Sequence, residues 1–154
     1  MIQLSTGRFD PGEALNRFCH GRLGTGAVAS FVGLARGAAD APVALELEAY
    51  PGFTEMQIRA FADAAVARFS LDDVAIFHRH GPIPTGEAIV MVLTAAAHRR
   101  EAFEACDYLM DYLKSRAPFW KREMDTDGPV WIEPTARDSA DLARWENGRP
   151  GDQI

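Results

Sequence analysis

Lysine is nearly missing from this chain. Of its sixteen Lys and Arg residues, only Lys114 and Lys121 are lysines. Cysteine is scarce too, and Cys19 and Cys106 are too few and too unpatterned for a disulfide framework or a Cys-rich zinc site. No apolar run reaches membrane-spanning length, and the N-terminus carries no charged-then-apolar signal region. The expected compartment is therefore the cytoplasm, with no membrane partner. Excess positive charge is also absent. A formal charge of −6 excludes a nucleic-acid binder that works by broad electrostatic attraction. There is no Gly-x-Ser-x-Gly and no Walker-type phosphate loop. Gly21, Gly24 and Gly26 precede a strand instead of joining a strand to a helix, which argues against a dinucleotide fingerprint.

What remains is an ordinary globular chain. Its 154 residues, 47% of them apolar, suit one domain with a real core, and no repeat or linker divides it. A short strand is expected over 2–4. Asp10-Pro11-Gly12-Glu13 then reads as a capped helix start, with the helix running to about His20. A small-residue, buried strand is expected over 27–34. Val43, Leu45, Leu47 and Ala49 alternate with Glu46, Glu48 and Tyr50, which predicts a half-buried strand ended by Pro51-Gly52. Thr54 and Gln57 have capping-box spacing, and Ile58, Phe61, Ala62, Ala65, Val66 and Phe69 form the apolar stripe of the following helix. A strand over 74–80, a turn-rich loop over 81–86 and a central apolar strand over 88–96 come next. A helix over about 99–116 should turn Phe103, Cys106, Met110 and Leu113 inward until Pro118 prevents its continuation. Residues 119–124 read as a strand, Asp125-Thr126-Asp127-Gly128 as a hairpin turn and 130–133 as the return strand. A short helix around 139–145 closes the pattern. Helices mixed with paired strands make the fold class α+β.

The two lysines carry the most information about chemistry. They flank Pro118 and the aromatic pair Phe119-Trp120. Where any cation serves, this chain uses arginine. An amine differs from a guanidinium in being able to lose its proton and act as nucleophile or base. A plainer role exists for Lys114, which falls in the last turn of its helix and would offset the helix dipole there, although Arg116 serves that purpose as well. On the strand beyond the break, Phe119, Lys121 and Glu123 share one face, while Trp120, Arg122 and Met124 share the other. With Pro118 turning the chain, Lys114 and Lys121 can converge on one pocket. His98-Arg99-Arg100 sits where an apolar strand enters a helix, a place where free backbone N–H groups bind anions; a solvated helix start is the simpler account of it. Arg99, Lys121 and Arg122 together have the chemistry to bind a phosphate. His78 and His80 share a strand face, but no further ligand is spaced to complete a metal site, so both read as structural and no metal is expected.

The run Ala97-His98-Arg99, Phe103-Glu104-Ala105 and Met110-Asp111-Tyr112-Leu113-Lys114-Ser115-Arg116-Ala117-Pro118-Phe119-Trp120-Lys121-Arg122-Glu123 closely resembles the large, catalytic subunits of molybdopterin synthase. Gly26-Ala27-Val28, Phe31-Val32-Gly33 with Arg36, Leu45-Glu46-Leu47-Glu48, Tyr50-Pro51-Gly52, Thr54-Glu55-Met56, His78-Arg79 and Gly86-Glu87 match as well, in order, over about residues 24–134. The resemblance implies one α/β hammerhead domain over 1–154, with residues 135–154 a weakly matched tail. It implies a central homodimer, each copy receiving a small ubiquitin-like subunit whose Gly-Gly tail ends in a thiocarboxylate. The implied reaction moves two sulfurs onto cyclic pyranopterin monophosphate to form the molybdopterin dithiolene, with no metal or nucleotide cofactor. Lys114 resembles the essential lysine beside the tail, and Lys121 the second active-site lysine. Arg36, His98, Arg99, Arg122 and Glu123 resemble pterin- and phosphate-binding positions, with Leu34 and Ala35 in the same substrate-binding segment as Arg36. Leu34 is a departure, since relatives often carry lysine there. Arg137 gains no assigned role. Two other readings stay open on the residues alone: a lysine-dependent Schiff-base enzyme acting on a phosphorylated carbonyl compound, and a non-catalytic docking module for a ubiquitin-like tail.

Overall fold

The computed structural model describes residues 1–37, 45–125 and 128–146. In chain order the elements are β1 (Ile2–Ser5), α1 (Pro11–Cys19), β2 (Ala27–Leu34), β3 (Leu45–Ala49), α2 (Phe53–Phe69), β4 (Asp73–Arg79), β5 (Gly81–Ile83), β6 (Ala88–Ala96), α3 (Arg99–Ser115), β7 (Phe119–Asp125), β8 (Gly128–Ile132) and α4 (Ala136–Glu146). They form two four-stranded sheets, ordered β1-β4-β6-β2 and β5-β3-β7-β8. The first is mixed, because β1 runs parallel to β4 while the other pairs are antiparallel. The second is antiparallel throughout. The α+β class expected from the element order is the one observed.

Strand alternation builds the core on both faces of the first sheet. Along β4 and β6, Val74, Ile76, Val90, Val92 and Ala96 point to one side and pack under α2 and α3. Ala75, Phe77, Met91, Leu93 and Ala95 point to the other side and meet Ala14 and Phe18 of α1. A strand buried on both faces loses the polar alternation of a surface strand, which is why β6 reads as a near-continuous apolar run. Each large side chain buried this way contributes about 1.5–3 kcal/mol. A third cluster, Ala35 with Leu45, Leu47 and Ile83, forms against the second sheet, and Phe119 packs against both it and the α2–α3 cluster.

Local signals explain most boundaries. Asp10 caps α1, accepting the Glu13 N–H at 2.9 Å. Gly52 sits before α2 at φ 75°, a left-handed conformation that suits glycine. Four expectations are corrected. Strand β2 is an edge strand, paired only with β6, and of its residues only Ala29 is buried. Its small residues reflect close approach, since Gly33 leaves only 2.8 Å between a built Cβ and Val90 Cγ1. Thr54 does not cap α2; it lies fully buried inside the helix, with its hydroxyl used elsewhere. The loop expected over 81–86 contains β5, which pairs with β3. Phe103 points outward at 66% exposure, because the buried face of α3 runs through Ala102, Ala105, Cys106, Leu109 and Leu113. The register Asp125↔Gly128 agrees with the expected hairpin. Val43, Thr126 and Asp127 lie outside the described residues.

Candidate active site

Helix α3 stops where Pro118 removes the next donor. The Arg116 and Ala117 N–H groups both donate to the Tyr112 carbonyl, at 2.8 and 3.1 Å, and the Phe119 N–H donates to Ala117 O at 2.8 Å. Buried Thr54 fixes this break. Its hydroxyl donates to Pro118 O at 3.0 Å and accepts the Tyr50 N–H at 2.9 Å. The chain then enters β7, where Lys121 stands opposite Leu47 of β3 and Ile132 of β8. Cross-strand neighbours share a face, so Lys121 lies on the side where Leu47 and Phe119 pack toward Ala35.

The two amines thus lie on either side of one pinned turn, each beside its own carboxylate. Lys114 Nζ is 3.5 Å from Asp138 Oδ1, and Lys121 Nζ is 3.7 Å from Glu123 Oε1. Their side chains are 65% and 41% exposed. In the single chain a carboxylate therefore stands beside each amine. Asp138 is the better fixed of the two anions. Its Oδ2 accepts the Thr135 N–H at 2.8 Å and the Thr135 hydroxyl at 2.7 Å. Those two bonds, and after them the Lys114 ammonium, hold its carboxyl below the usual carboxylate range. Beside it, Ser115, Arg116, Glu133, Pro134, Ser139, Leu142 and Glu146 line an open cleft of about 560 Å³.

Leu34, Ala35 and Arg36 leave β2 at this same end of the first sheet. Ala35 is buried and anchored twice, its N–H donating to Glu87 O at 2.8 Å and its carbonyl accepting the Gly86 N–H at 2.7 Å. Leu34 and Arg36 on either side are exposed. Arg122 faces away from Lys121, as strand alternation requires; its guanidinium meets Glu46 at 3.1 Å and lies 4.7 Å from the centre of the Trp131 ring.

His98 and Arg99 lie elsewhere. His98 is the N-cap of α3 without a side-chain capping bond, and Arg99 is the first helical residue. Both are exposed, and with Arg100, Glu101 and Phe103 they line a second open cleft of about 480 Å³. Gly26 permits the sharp turn that carries them. Its N–H donates to Ala96 O at 3.1 Å, and a Cβ built on it would fall 2.1 Å from the Ala97 carbonyl oxygen. Helix α3 then runs back along β6, as the contacts Thr94 Oγ1 to Ala102 O at 2.7 Å and Cys106 Sγ to Val92 O at 4.0 Å indicate. At 1.5 Å per residue, Arg99 and Lys114 stand about 22 Å apart along one helix. A single copy therefore gathers Leu34–Arg36, Lys114 and Lys121 at one end and leaves His98 and Arg99 at the other.

Three parts of this arrangement escaped the sequence reading. Thr54 carried the spacing of a cap and works instead as the brace under Pro118. Asp138 was not singled out, although Thr135-x-x-Asp138 has the spacing of a capping box and marks the start of α4. Buried His78, read as structural, stacks on Phe119 with ring centroids 4.2 Å apart, directly beneath the strand that carries Lys121.

Comparison with known proteins identifies the family. The model of the MoaE protein family matches residues 4–116. The molybdopterin synthase catalytic subunit of Caulobacter vibrioides is 63% identical over 146 residues, spanning 95% of this chain and 97% of that one. The solved molybdopterin biosynthesis MoaE protein from Burkholderia ambifaria superposes with a TM-score of 0.80 at 42% identity, covering 95% of this chain and 97% of the other. A Helicobacter pylori chain, solved in the complex of subunits 1 and 2 of molybdopterin-converting factor, has the same fold at a TM-score of 0.71 and 19% identity, covering 85% of this chain and 89% of its own. Fold, length and sequence all place this chain in the MoaE family, with the molybdopterin synthase catalytic subunits.

Proposed function

We propose that this chain is the sulfurtransferase subunit of a molybdopterin synthase. It would take sulfur from the C-terminal thiocarboxylate of a small ubiquitin-like subunit and deliver it to cyclic pyranopterin monophosphate. Each transfer breaks an acyl C–S bond and makes a C–S bond on the pterin, where a C–O bond is broken in exchange and its oxygen leaves as water or stays on the phosphate. The acyl carbon takes an oxygen from water and ends as a carboxylate. Charge develops on the acyl oxygen along the way, and a positioned ammonium stabilises it and hands over a proton as that charge builds. The observation that carries the reading is the placement of the chain's only lysines on either side of one braced turn. Lys114 is the amine assigned to the acyl carbon. Lys121, on the inner face of β7, is assigned to the substrate, together with Leu34, Ala35 and Arg36 at the same end of the sheet.

His98 and Arg99 enter this reading through a second copy. Separated from Lys114 by about 22 Å of helix in their own chain, they reach a shared pocket only if a two-fold partner presents its opposite end. That supports a central homodimer with two small subunits. Arg122 and Glu123 then act at the margin, once their present partners Glu46 and Lys121 are displaced. Among the described residues no helix is long and apolar enough to cross a membrane, and the cytoplasm is the compartment we assign.

The test is reconstitution with a thiocarboxylated small subunit and the pterin precursor, following dithiolene formation. Lys114→Ala should lower turnover about 10²-fold or more while the complex still assembles. Lys114→Arg should fail similarly, because it keeps charge but cannot hand over a proton. Wild-type turnover by Lys114→Arg would reduce the lysine to a mere cation and remove the proposed chemistry.

A further inference from the structure

We infer that Asp138 is a positioning residue for the Lys114 amine, so that helix α4 is part of the catalytic apparatus and not a terminal appendage. This rests on the assignment of Lys114 made above.

Lys114 projects from the last turn of α3 with 65% of its side chain exposed. A four-carbon stem so exposed samples many rotamers unless something selects one. Asp138 is the group able to select it. Its side chain is only 17% exposed, and its two oxygens divide their tasks. Oδ2 is consumed by the Thr135 N–H and hydroxyl, which form one half of a reciprocal cap. The Asp138 N–H returns a bond to Thr135 Oγ1 at 3.2 Å, completing it. The carboxylate is thereby fixed in orientation, and Oδ1 is the oxygen left to face Lys114 Nζ at 3.5 Å.

The helix carrying Asp138 is itself firmly docked on α3. Ser115 Oγ donates to Asp138 O at 3.1 Å, directly beside Lys114 in sequence. Leu142 is buried. Arg144 reaches Asp111 at 2.6 Å and Asp107 at 2.8 Å, and Trp145 Nε1 donates to Asp111 at 2.6 Å. The Trp145 ring packs edge-on against Phe69 and Tyr108. This is more anchorage than a surface ion pair needs, and it ends one residue from the amine. An ammonium has three N–H donors, so one can rest on Asp138 while two remain for the tail and the substrate. The neighbouring cleft, lined by Ser115, Glu133, Pro134 and Ser139, lies open on the same side.

Asp138→Asn separates positioning from folding. The amide oxygen still accepts both Thr135 bonds, so α4 should remain docked and the melting temperature should hold. Only the charge facing Lys114 is lost. With thiocarboxylated small subunit and precursor both saturating, turnover should fall about tenfold or more while each KM stays within about threefold. In a Lys114→Ala background the same substitution should cost nothing further, because a residue acting through Lys114 has no other route to the chemistry. Wild-type turnover by Asp138→Asn overturns the inference, as do losses that multiply in the double variant. If Lys114→Ala is slow and Asp138→Asn is not, only the role of Asp138 falls. If both variants turn over normally, the lysine assignment falls and this inference with it.

Discussion

Acid should weaken this fold through one histidine, and the size of the effect follows from where that histidine sits. His78 is 8% exposed in β4. Its Nδ1 lies 2.9 Å from Arg79 O, and its ring stacks on Phe119. Burial pushes its pKa from 6.5 down to about 4; the bond to Arg79 opposes this, and the nearby His80 adds to it. The folded protein therefore holds the imidazole neutral where the unfolded chain protonates it. Between 6.5 and about 4 the unfolded state binds more protons, so stability falls as pH falls through that window. Above it His78 contributes no pH dependence, and below it the loss levels off near ~3 kcal/mol. Moving from about pH 7.5 to about pH 5 should already cost about 2 kcal/mol, or roughly 4–8 °C in melting temperature for a domain of this size. Against a typical total of ~5–15 kcal/mol, that is easily measured.

The assay is urea unfolding of the wild type and His78→Asn at both pH values. Asparagine places an N–H donor where Nδ1 stands but titrates nowhere in the range. Carboxylates and the other histidines contribute equally to both proteins and cancel in the comparison. His78→Asn should be less stable at about pH 7.5, having lost the ring stack, yet should lose about 2 kcal/mol less than wild type on acidification. Equal losses in the two proteins would refute the buried, neutral histidine. Because the ring supports Phe119 at the start of β7, protonating it in the folded protein, near pH 4, should also disturb the strand that carries Lys121.

Three further outcomes are expected. Thr54→Val keeps the shape of the brace but strands the Tyr50 N–H and the Pro118 carbonyl, so it should cost about 1–3 kcal/mol, while Thr54→Ser should restore most of the loss; equal effects from both would refute the hydroxyl's role. Arg79→Ala should destabilise by about 1.5–3 kcal/mol in chemical denaturation, since half-buried Glu87 loses the guanidinium that meets it at 2.6 Å and keeps only exposed Arg8, 3.3 Å from its other oxygen. Gly26→Ala should cost about 1–3 kcal/mol and weaken precursor binding in calorimetry, because the new Cβ collides with the Ala97 carbonyl and moves the turn that carries His98 and Arg99; unchanged affinity would detach that turn from the phosphate.

Much of the fold was legible because its signals are local or periodic. Asp10-Pro11 gave the α1 boundary, the alternation around Leu45 and Leu47 gave β3, and Pro118 gave the end of α3. The misreadings share a cause. Small residues in β2 suggested burial, yet they serve the close packing of an edge strand. Phe103 has the spacing of an inward residue but points to solvent, since the buried face of α3 runs instead through Ala102, Ala105 and Leu109. Thr54 satisfied a capping pattern while its hydroxyl was committed to residues 50 and 118. In each case a long-range partner decided the outcome, and spacing along the chain carries no trace of that partner.

The site divides along the same line. The two lysines were legible as an anomaly of composition, and their common turn as a helix broken by proline. Their carboxylate neighbours were not. Asp138 comes from the last helix, 24 residues further along the chain, and meets Lys114 only because Leu142 and Trp145 dock that helix. The most consequential distance was, however, already available from sequence. A continuous helix over about 99–116 holds its first and last turns more than 20 Å apart at 1.5 Å per residue. His98 and Arg99 cannot share a pocket with Lys114 of the same chain, however closely all three match one family's site. Helix length is therefore what the proposed homodimer rests on, since a second copy can present the opposite end of α3 to the pocket. An assay at limiting precursor that mixes slow Lys114→Ala with weakly binding Arg99→Ala should then regain up to about a quarter of wild-type turnover, since one pocket in each mixed dimer has both residues intact.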